Sequence, residues 1–137
     1  MAFEGPLEDR VAIHELVATY GDAVTRRSAA EWGAVWAEDG FWSLPEFPGM
    51  EKIEGRTAIV DIWKASMEDY PLNINRAALG AVNVTGDAAS GRTYTSELVS
   101  GKDGKAYTVT GQYDDEYVKR DGKWLFKSRI FKSLHNG

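Results

Sequence analysis

The sequence predicts an α+β fold in which three N-terminal helices pack in a strongly bent, mainly antiparallel sheet that forms a cone. Three observations support this prediction. The first half of the chain spaces its apolar residues as helices do, the spacing changes to period two at Asn73, and the later strands are separated by glycine-containing turns. Helices followed by a meander of strands are typical of α+β proteins. The 137 residues are expected to form a single domain, residues 1–137.

The first predicted helix runs from Pro6 to about Arg27. At about 100° per residue, one stripe of this helix is apolar. Asp22 lies nearly opposite the stripe and is expected to face solvent. The stripe consists of Ile13, Leu16, Val17, Tyr20 and Val24.

A capping box predicts the start of the second helix, from Ala29 to about Trp36. Ser28 is the N-cap residue, and Glu31 stands three positions later. The buried side of this helix is expected to carry three apolar residues, namely Trp32, Val35 and Trp36.

The middle of the chain predicts one strand, one loop and the third helix. Residues 41–45 read as a strand stopped by Pro45, and residues 45–55 hold two prolines and two glycines, which favours a surface loop. The third helix starts at Arg56 and ends before Pro71.

Four long strands are predicted for the second half of the chain. Each separator carries a glycine at a turn position where positive φ costs little. The strands are residues 73–85, 90–100, 105–119 and 123–134, and the glycines are Gly86, Gly104 and Gly122.

Composition excludes several classes of function. The chain has 16 Lys+Arg against 21 Asp+Glu and no cysteine, so its formal net charge is −5. An acidic balance argues against a nucleic-acid partner, and the lack of cysteine excludes disulfides, thiol nucleophiles and cysteine-ligated metals. No stretch has the length and apolarity of a membrane span or a signal peptide. We expect a cytoplasmic protein without a metal or other cofactor.

Several stretches resemble the SnoaL-like branch of the nuclear-transport-factor-2-like superfamily. They lie at helix starts and turns, and they span nearly the whole chain. The stretches are residues 9–16, 36–40, 55–59, 86–92 and 113–124. The resemblance implies the cone fold with a pocket at its open end. Since the superfamily includes dehydratases, dehydrochlorinases, cyclases, isomerases and binding domains, it does not fix the reaction.

Within this branch, the sequence looks most like the hexachlorocyclohexane dehydrochlorinases and, more distantly, the scytalone dehydratases. Both are cofactor-free lyases, and bacterial lyases that release formaldehyde from lignin-derived compounds share the fold. In the dehydrochlorinase pattern a helix-1 Asp supports a catalytic His, and an Arg on the last strand assists the leaving group. This chain keeps the arginine as Arg129, but Thr25 stands at the Asp position and Asn75 at or near the His position. The His–Asp base is therefore absent.

The resemblance, combined with strand alternation, implies a set of pocket residues. Every second residue of the third long strand independently supports this set, because such residues share one face of a strand. These residues are Tyr107, Val109, Gly111 and Tyr113. An aromatic wall around one arginine suits a flat, partly polar aromatic ligand, although ordinary core packing explains the same residues. The implied wall residues are Tyr20, Val24, Thr25, Trp42, Asn75, Tyr94, Ser96, Val109, Tyr113, Arg129, Phe131 and Ser133.

Arg129 is expected to point into the cone, where a guanidinium needs an anion. The anion is either a substrate oxygen or a buried Asp or Glu. We expect this charge to lower the pKa of a buried phenol at Tyr20 enough for proton transfer, which makes Tyr20 a candidate acid or base, with Tyr113 and Tyr94 as alternatives. Asn75 is a candidate oxyanion donor, with Asn73 as the alternative if the register shifts by two.

Four other polar positions are weaker candidates. His14 is expected at the edge of the first helix stripe, and His135 reaches the pocket only if the C-terminal tail folds over its mouth. The pair Asp114 and Asp115 is expected on a solvated face, and no acidic or histidine cluster predicts a metal site.

These observations predict a lyase that removes water, a halide or formaldehyde from a small aromatic substrate, such as one derived from lignin or a xenobiotic. The alternatives are a ketone cyclase or isomerase and a non-catalytic binding protein. A homodimer or trimer is also expected, because Trp124, Phe126 and Ile130 occupy the strand phase opposite Arg129 and need a cover.

Overall fold

The computed structural model describes residues 2–136. Within them, three helices and three shorter strands come first, and a meander of four long strands follows. The helices are α1 (Leu7–Thr25), α2 (Ala29–Ala34) and α3 (Arg56–Glu68). The strands are β1 (Phe3–Glu4), β2 (Trp36–Ser43), β3 (Ile53–Glu54), β4 (Leu72–Thr85), β5 (Ala88–Ser100), β6 (Ala106–Arg120) and β7 (Lys123–Asn136).

All seven strands join one curved, unclosed sheet in the order β1-β4-β5-β6-β7-β2-β3. The meander β4 to β7 is antiparallel, whereas β1 pairs with β4 and β2 pairs with β7 in parallel. The helices pack in the concave side of the sheet, with α1 against β4. The predicted α+β cone is confirmed, with two short additional strands at the sheet edges.

The predicted helix features are present. All five stripe residues of α1 are buried, and the Ser28 side chain accepts a hydrogen bond from the Glu31 backbone N–H at 3.3 Å. The second helix is shorter than expected, since it ends at Ala34 and Trp36 already begins β2. The cause is pairing with β7, because the Phe126 N–H donates to the Val35 carbonyl at 2.8 Å.

The turns follow the glycine pattern of the sequence. Gly86, Gly104 and Gly122 have φ of 62°, 80° and 75°, a region that glycine adopts without steric cost. These turns set the register of the meander, so that Thr85 pairs with Ala88 and Arg120 with Lys123. They therefore determine which side chains face the concave side.

Strand β7 changes phase near Lys127, where the β6–β7 register shifts. Trp124 and Phe126 are buried before the shift, and Arg129 and Phe131 are buried after it. The prediction that Trp124 and Phe126 lie on an outer face was wrong, because a strand without the irregularity was assumed. Of the three residues, only Ile130 is exposed, so most of the expected interface residues belong to the core of this chain.

Among residues 2–136, no helix combines the length and apolarity needed to cross a membrane.

Candidate functional site

A half-open cavity of about 290 Å³ lies between α1, α3 and the concave side of the sheet. Its mouth carries the exposed side chains of Phe47, Asp69 and Tyr107, and its floor is buried. The segment 45–55, expected as a surface loop, contributes Phe47 and Met50 to the wall, and the preceding residue Leu44 joins them. The other wall residues are Tyr20, Val24, Trp42, Trp63, Ser66, Met67, Tyr70, Asn73, Asn75, Glu97, Val99, Val109, Tyr113 and Phe131.

The floor joins Tyr20, Trp42 and Tyr113. The indole Nε1–H of Trp42 donates to the Tyr113 hydroxyl at 3.1 Å, and the ring centres of Tyr20 and Tyr113 are 6.4 Å apart. Because an indole N–H can only donate, Tyr113 is the acceptor and keeps its own hydroxyl hydrogen to donate.

Burial determines the protonation of both tyrosines. It raises the pKa of Tyr113 above its ordinary value, although the Arg129 charge and the Trp42 hydrogen bond act in the opposite direction. Burial also raises the pKa of Tyr20 well above its ordinary value. The expectation that Arg129 would lower the Tyr20 pKa enough for proton transfer was wrong, since desolvation outweighs the charge. Both phenols are protonated at neutral pH and act as donors.

Arg129 points inward as predicted, but it does not belong to the cavity wall. Its side chain is 0% exposed, and Nε and Nη2 donate to the two carboxylate oxygens of Asp115 at 2.7 and 3.2 Å. The ion-pair alternative is therefore the one that the structure contains. Burial opposes the charge on this guanidinium, but Asp115 raises the pKa of Arg129 overall.

Three aromatic rings surround the same guanidinium. Its central carbon lies 3.9 Å from the ring centre of Tyr113, 4.2 Å from Phe126 and 4.5 Å from Tyr20. Nη1 makes no hydrogen bond within the described part of the chain, and the π faces supply its attraction instead. Arg129 thus lies behind the floor, next to the rings rather than next to a guest.

Asp115 is 3% exposed, so the prediction that it lies on a solvated face was wrong. Its Oδ2 also accepts hydrogen bonds from Thr93 Oγ1 at 2.7 Å and from the Tyr117 hydroxyl at 2.8 Å. The preceding residue, Asp114, lies on the opposite face of the strand and is exposed. A buried carboxylate requires such a complete set of partners, and the sequence alone did not indicate them.

Glu97 is the half-buried acidic group of the cavity wall, and the sequence did not indicate it. It lies opposite Asn75 on β4 and opposite Val109 on β6, so these three residues form one rung of the sheet. Burial raises the pKa of the Glu97 carboxyl, while polar contact with the amides of Asn73 and Asn75 acts to lower it. Asp69, the other wall carboxylate, is exposed at the mouth and pairs with Lys102.

The structure brings together seven of the twelve residues implied by the resemblance. These are Tyr20, Val24, Trp42, Asn75, Val109, Tyr113 and Phe131. Five lie outside the wall, namely Thr25, Tyr94, Ser96, Arg129 and Ser133.

Tyr94 and Ser96 lie on the outer phase of β5. Tyr94 is 41% exposed, and its ring covers Gly80 so closely that a Cβ there would lie 2.8 Å from Tyr94 Cε2. Thr93 and Glu97 are the residues that pair with the wall residues Tyr113 and Val109. The length of the turn after Ser100 is the signal that could have identified Glu97. This turn pairs Tyr94 with Gln112 rather than with Tyr113, so Tyr94 and Tyr113 lie on opposite faces of the sheet.

Thr25 contacts Asn75 without reaching the cavity. Its Oγ1 accepts a hydrogen bond from the Asn75 backbone N–H at 2.9 Å, which fixes the end of α1 to the start of β4. The two positions at which the resemblance places an Asp and a His are therefore neighbours, joined by a structural hydrogen bond.

The remaining weak candidates lie away from the cavity. His14 is exposed and stacks on Phe3 with ring centres 5.5 Å apart, and His135 is exposed on β7. Asp22 is exposed and pairs with Arg26 at 3.0 Å, as its helix angle predicted.

Comparison with solved structures places the fold among known enzymes. A hexachlorocyclohexane dehydrochlorinase of type 2 is 21% identical, with a TM-score of 0.84 over 96% of this chain and 88% of that one. A provisionally named scytalone dehydratase from Novosphingobium aromaticivorans is 21% identical, with a TM-score of 0.84 over 96% and 87%. A provisionally named aromatic ring hydroxylase from the same organism is 26% identical, with a TM-score of 0.87 over 98% and 95%.

No curated protein matches the sequence at a significant level. The family comparison is decisive for classification, because the SnoaL-like domain matches residues 5–130, which include every wall residue except Phe131. The chain belongs to the SnoaL-like domain family.

Proposed function

We propose that this protein is a cofactor-independent lyase that removes water, a halide or formaldehyde from a small aromatic substrate in the cavity. The observation that carries the proposal is that one half-buried carboxylate, Glu97, lines the same cavity as the protonated phenols of its floor. The similarity to solved dehydrochlorinase and dehydratase structures supports the general class of reaction.

Glu97 is assigned as the group that accepts the proton. A general base works best when its pKa approaches the working pH, and burial moves the Glu97 pKa in that direction. Asn75, across the β4–β5 ladder, keeps the carboxylate oriented. Glu97 thus replaces the missing histidine as a base.

Tyr113 is assigned as the donor to the developing oxyanion. Its hydroxyl is oriented by Trp42, remains protonated because it is buried, and is polarised by the Arg129 charge behind its ring. Preorganised donors of this kind stabilise charge that develops only in the transition state. Tyr20 supports the same oxygen or its hydrogen-bond network.

The apolar wall holds the ring of the substrate. Trp42, Val109 and Phe131 supply apolar surface to the wall, and the Glu97 carboxylate interacts electrostatically with the Tyr113 phenol of the same cavity. A cavity of about 290 Å³ suits a guest of one or two rings.

For a β-hydroxy ketone the proposed reaction balances without a co-reactant. The Glu97 carboxylate takes the α-proton, and the electron pair of the broken C–H bond forms an enolate whose oxygen Tyr113 stabilises. The enolate then re-forms the carbonyl, the C–O bond breaks, and the leaving hydroxide takes the proton from Glu97. The products are an enone and water, and the carboxylate is regenerated.

The test uses the uncharged β-hydroxy ketone that acetone and benzaldehyde form by aldol addition. We expect the protein to form the enone, followed by its near-ultraviolet absorption, and Glu97→Gln to lose at least about 100-fold in kcat. Glu116→Gln is the matched control, because Glu116 is exposed on the outer phase of β6. Enone formation that Glu97→Gln leaves unchanged would contradict the assignment of the base.

An isomerase is the second candidate, since removal of an α-proton and stabilisation of an enolate by Tyr113 also begin a ketone isomerisation. Mass analysis of the products distinguishes the two, because an isomerase conserves the substrate mass and a lyase splits the substrate. A guest that binds and returns unchanged, without exchange of its α-protons, would indicate the third possibility, a binding protein.

A further inference from the structure

We propose that the cavity selects its guest by charge, and that it takes an uncharged ring compound and excludes the corresponding carboxylate. This inference deepens the proposed function and rests on it for the position of the guest. It concerns the class of substrate, which the family does not fix.

The wall supplies no positive charge. Within residues 2–136, the side chains that line the cavity include two carboxylates, Glu97 and Asp69, but no lysine, arginine or histidine. An anion that enters the cavity loses water without gaining a countercharge, and it meets Glu97 at the inner end. A neutral carbonyl or hydroxyl meets the donor group of Tyr113 and Trp42 without this penalty.

The cations near the cavity are already paired. Arg129 makes two hydrogen bonds to Asp115 behind the floor, at 2.7 and 3.2 Å. The Arg27 guanidinium donates hydrogen bonds to the carbonyl of Met67 at 2.6 Å, in the last turn of α3, and to the carbonyl of Tyr70 at 2.9 Å, just beyond that helix. Lys102 lies at the exposed mouth and pairs with Asp69. Reassigning Arg129 to a substrate anion would leave Asp115 buried with an uncompensated charge.

A cationic guest is disfavoured by two other contacts. The Arg129 guanidinium already lies against the rings of Tyr20 and Tyr113, within 4.5 Å of both centres, so a second cation on those rings meets a like charge. The Glu97 carboxylate already has polar contact with the amides of Asn73 and Asn75. The favoured guest is therefore neutral rather than an ammonium ion.

Three molecules of nearly identical shape test the inference: benzamide, benzoate and benzamidine are neutral, negative and positive at pH 7.5. Ligand-observed NMR titration of the full chain measures binding without any need for turnover. We expect benzamide to bind at least tenfold more tightly than benzoate and more tightly than benzamidine. In Glu97→Gln we expect the preference for benzamide over benzoate to shrink, since the substitution removes a negative charge and preserves the shape.

Benzoate binding equal to or tighter than benzamide overturns the inference, as does a tenfold preference for benzamidine, which would mark an ammonium site. Failure of all three to bind also contradicts it. The expected ranking without any turnover would refute the proposed lyase and leave the charge selection standing. Turnover of the neutral probe together with tighter binding of benzoate would refute the charge selection and leave the proposed lyase standing. Glu116→Gln, on the outer phase of β6, is the control and should leave all three affinities unchanged.

Discussion

The guanidinium of Arg129 lies 3.9 Å from the ring centre of Tyr113, and the arginine side chain is fully buried. The arginine that the family resemblance assigns to the substrate is thereby a neighbour of the donor rather than of the guest. In the proposed reaction its charge acts through the phenol, and Asp115 holds the guanidinium in place.

Asp115→Asn should destabilise the fold strongly, because it leaves the buried Arg129 charge without its partner. Removing one member of a buried ion pair costs about 3–5 kcal/mol of unfolding free energy. Urea denaturation measures the loss. Asp39→Asn is the control, since Asp39 pairs with Arg120 at an exposed site, and we expect at most about 1 kcal/mol there. Equal effects of the two substitutions would show that the Arg129–Asp115 pair is not a buried one.

Tyr113→Phe should lower kcat for the aldol probe by about 100-fold, because it removes the oxyanion donor and keeps the ring. The matched control is Tyr94→Phe, which changes an exposed hydroxyl on the outer phase of β5 and should leave kcat unchanged. Steady-state kinetics on both variants provide the comparison. An effect on KM alone would mean that Tyr113 binds the guest without stabilising the transition state.

The raised pKa of Glu97 makes stability and activity depend on pH in opposite directions. The folded chain holds the Glu97 proton more tightly than the unfolded chain does. The stability that this group contributes is therefore fully present below the pKa of the unfolded chain. It is lost as pH rises through the raised folded pKa. The rate should rise over the same pH range, as the carboxylate forms.

Glu97→Gln isolates this contribution. Its stability relative to the wild type should increase between pH 4 and pH 8, as measured by urea denaturation at both values. A difference that stays constant with pH would mean that the Glu97 pKa is the same in the folded and unfolded chains.

Gly111→Ala should close part of the cavity. A Cβ at Gly111 would lie 2.1 Å from Phe131 Cε1, so the Phe131 ring must move toward the guest space. Overpacking of this kind costs about 1–3 kcal/mol. We expect weaker binding of benzamide together with lower stability, whereas Thr110→Ala, one residue away on the other phase, should retain binding. Unchanged binding in Gly111→Ala would place the guest elsewhere.

The predicted oligomer now depends on fewer residues, because Trp124 and Phe126 are core residues and Ile130 alone stays exposed among the three. A dimer or trimer of the 15.2 kDa chain remains our prediction, measured by sedimentation equilibrium. Ile130→Asp should shift the population toward the monomer if the outer face of β7 forms the contact. A monomeric wild type would contradict the prediction.

The sequence carried most of the fold and about half of the site. Period-two spacing and the glycine turns gave the meander, since both are local signals. The inward face of β5 was predicted wrongly, because an aromatic residue such as Tyr94 is typical of a pocket wall. The pairing of β5 with β6 places Glu97 on the inward face instead. Asp115 was misjudged because its partners Thr93 and Arg129 are distant in sequence and meet only through the sheet.

Exchange of α-protons for deuterium tests the central assignment most directly, because it reports removal of a proton before any leaving group departs. The measurement follows the aldol probe in D₂O by proton NMR, with the wild type and Glu97→Gln at the same concentration. We predict exchange well above the buffer rate for the wild type, and exchange at the buffer rate for Glu97→Gln. Equal exchange by the two proteins, or none above buffer in either, would contradict Glu97 as the base.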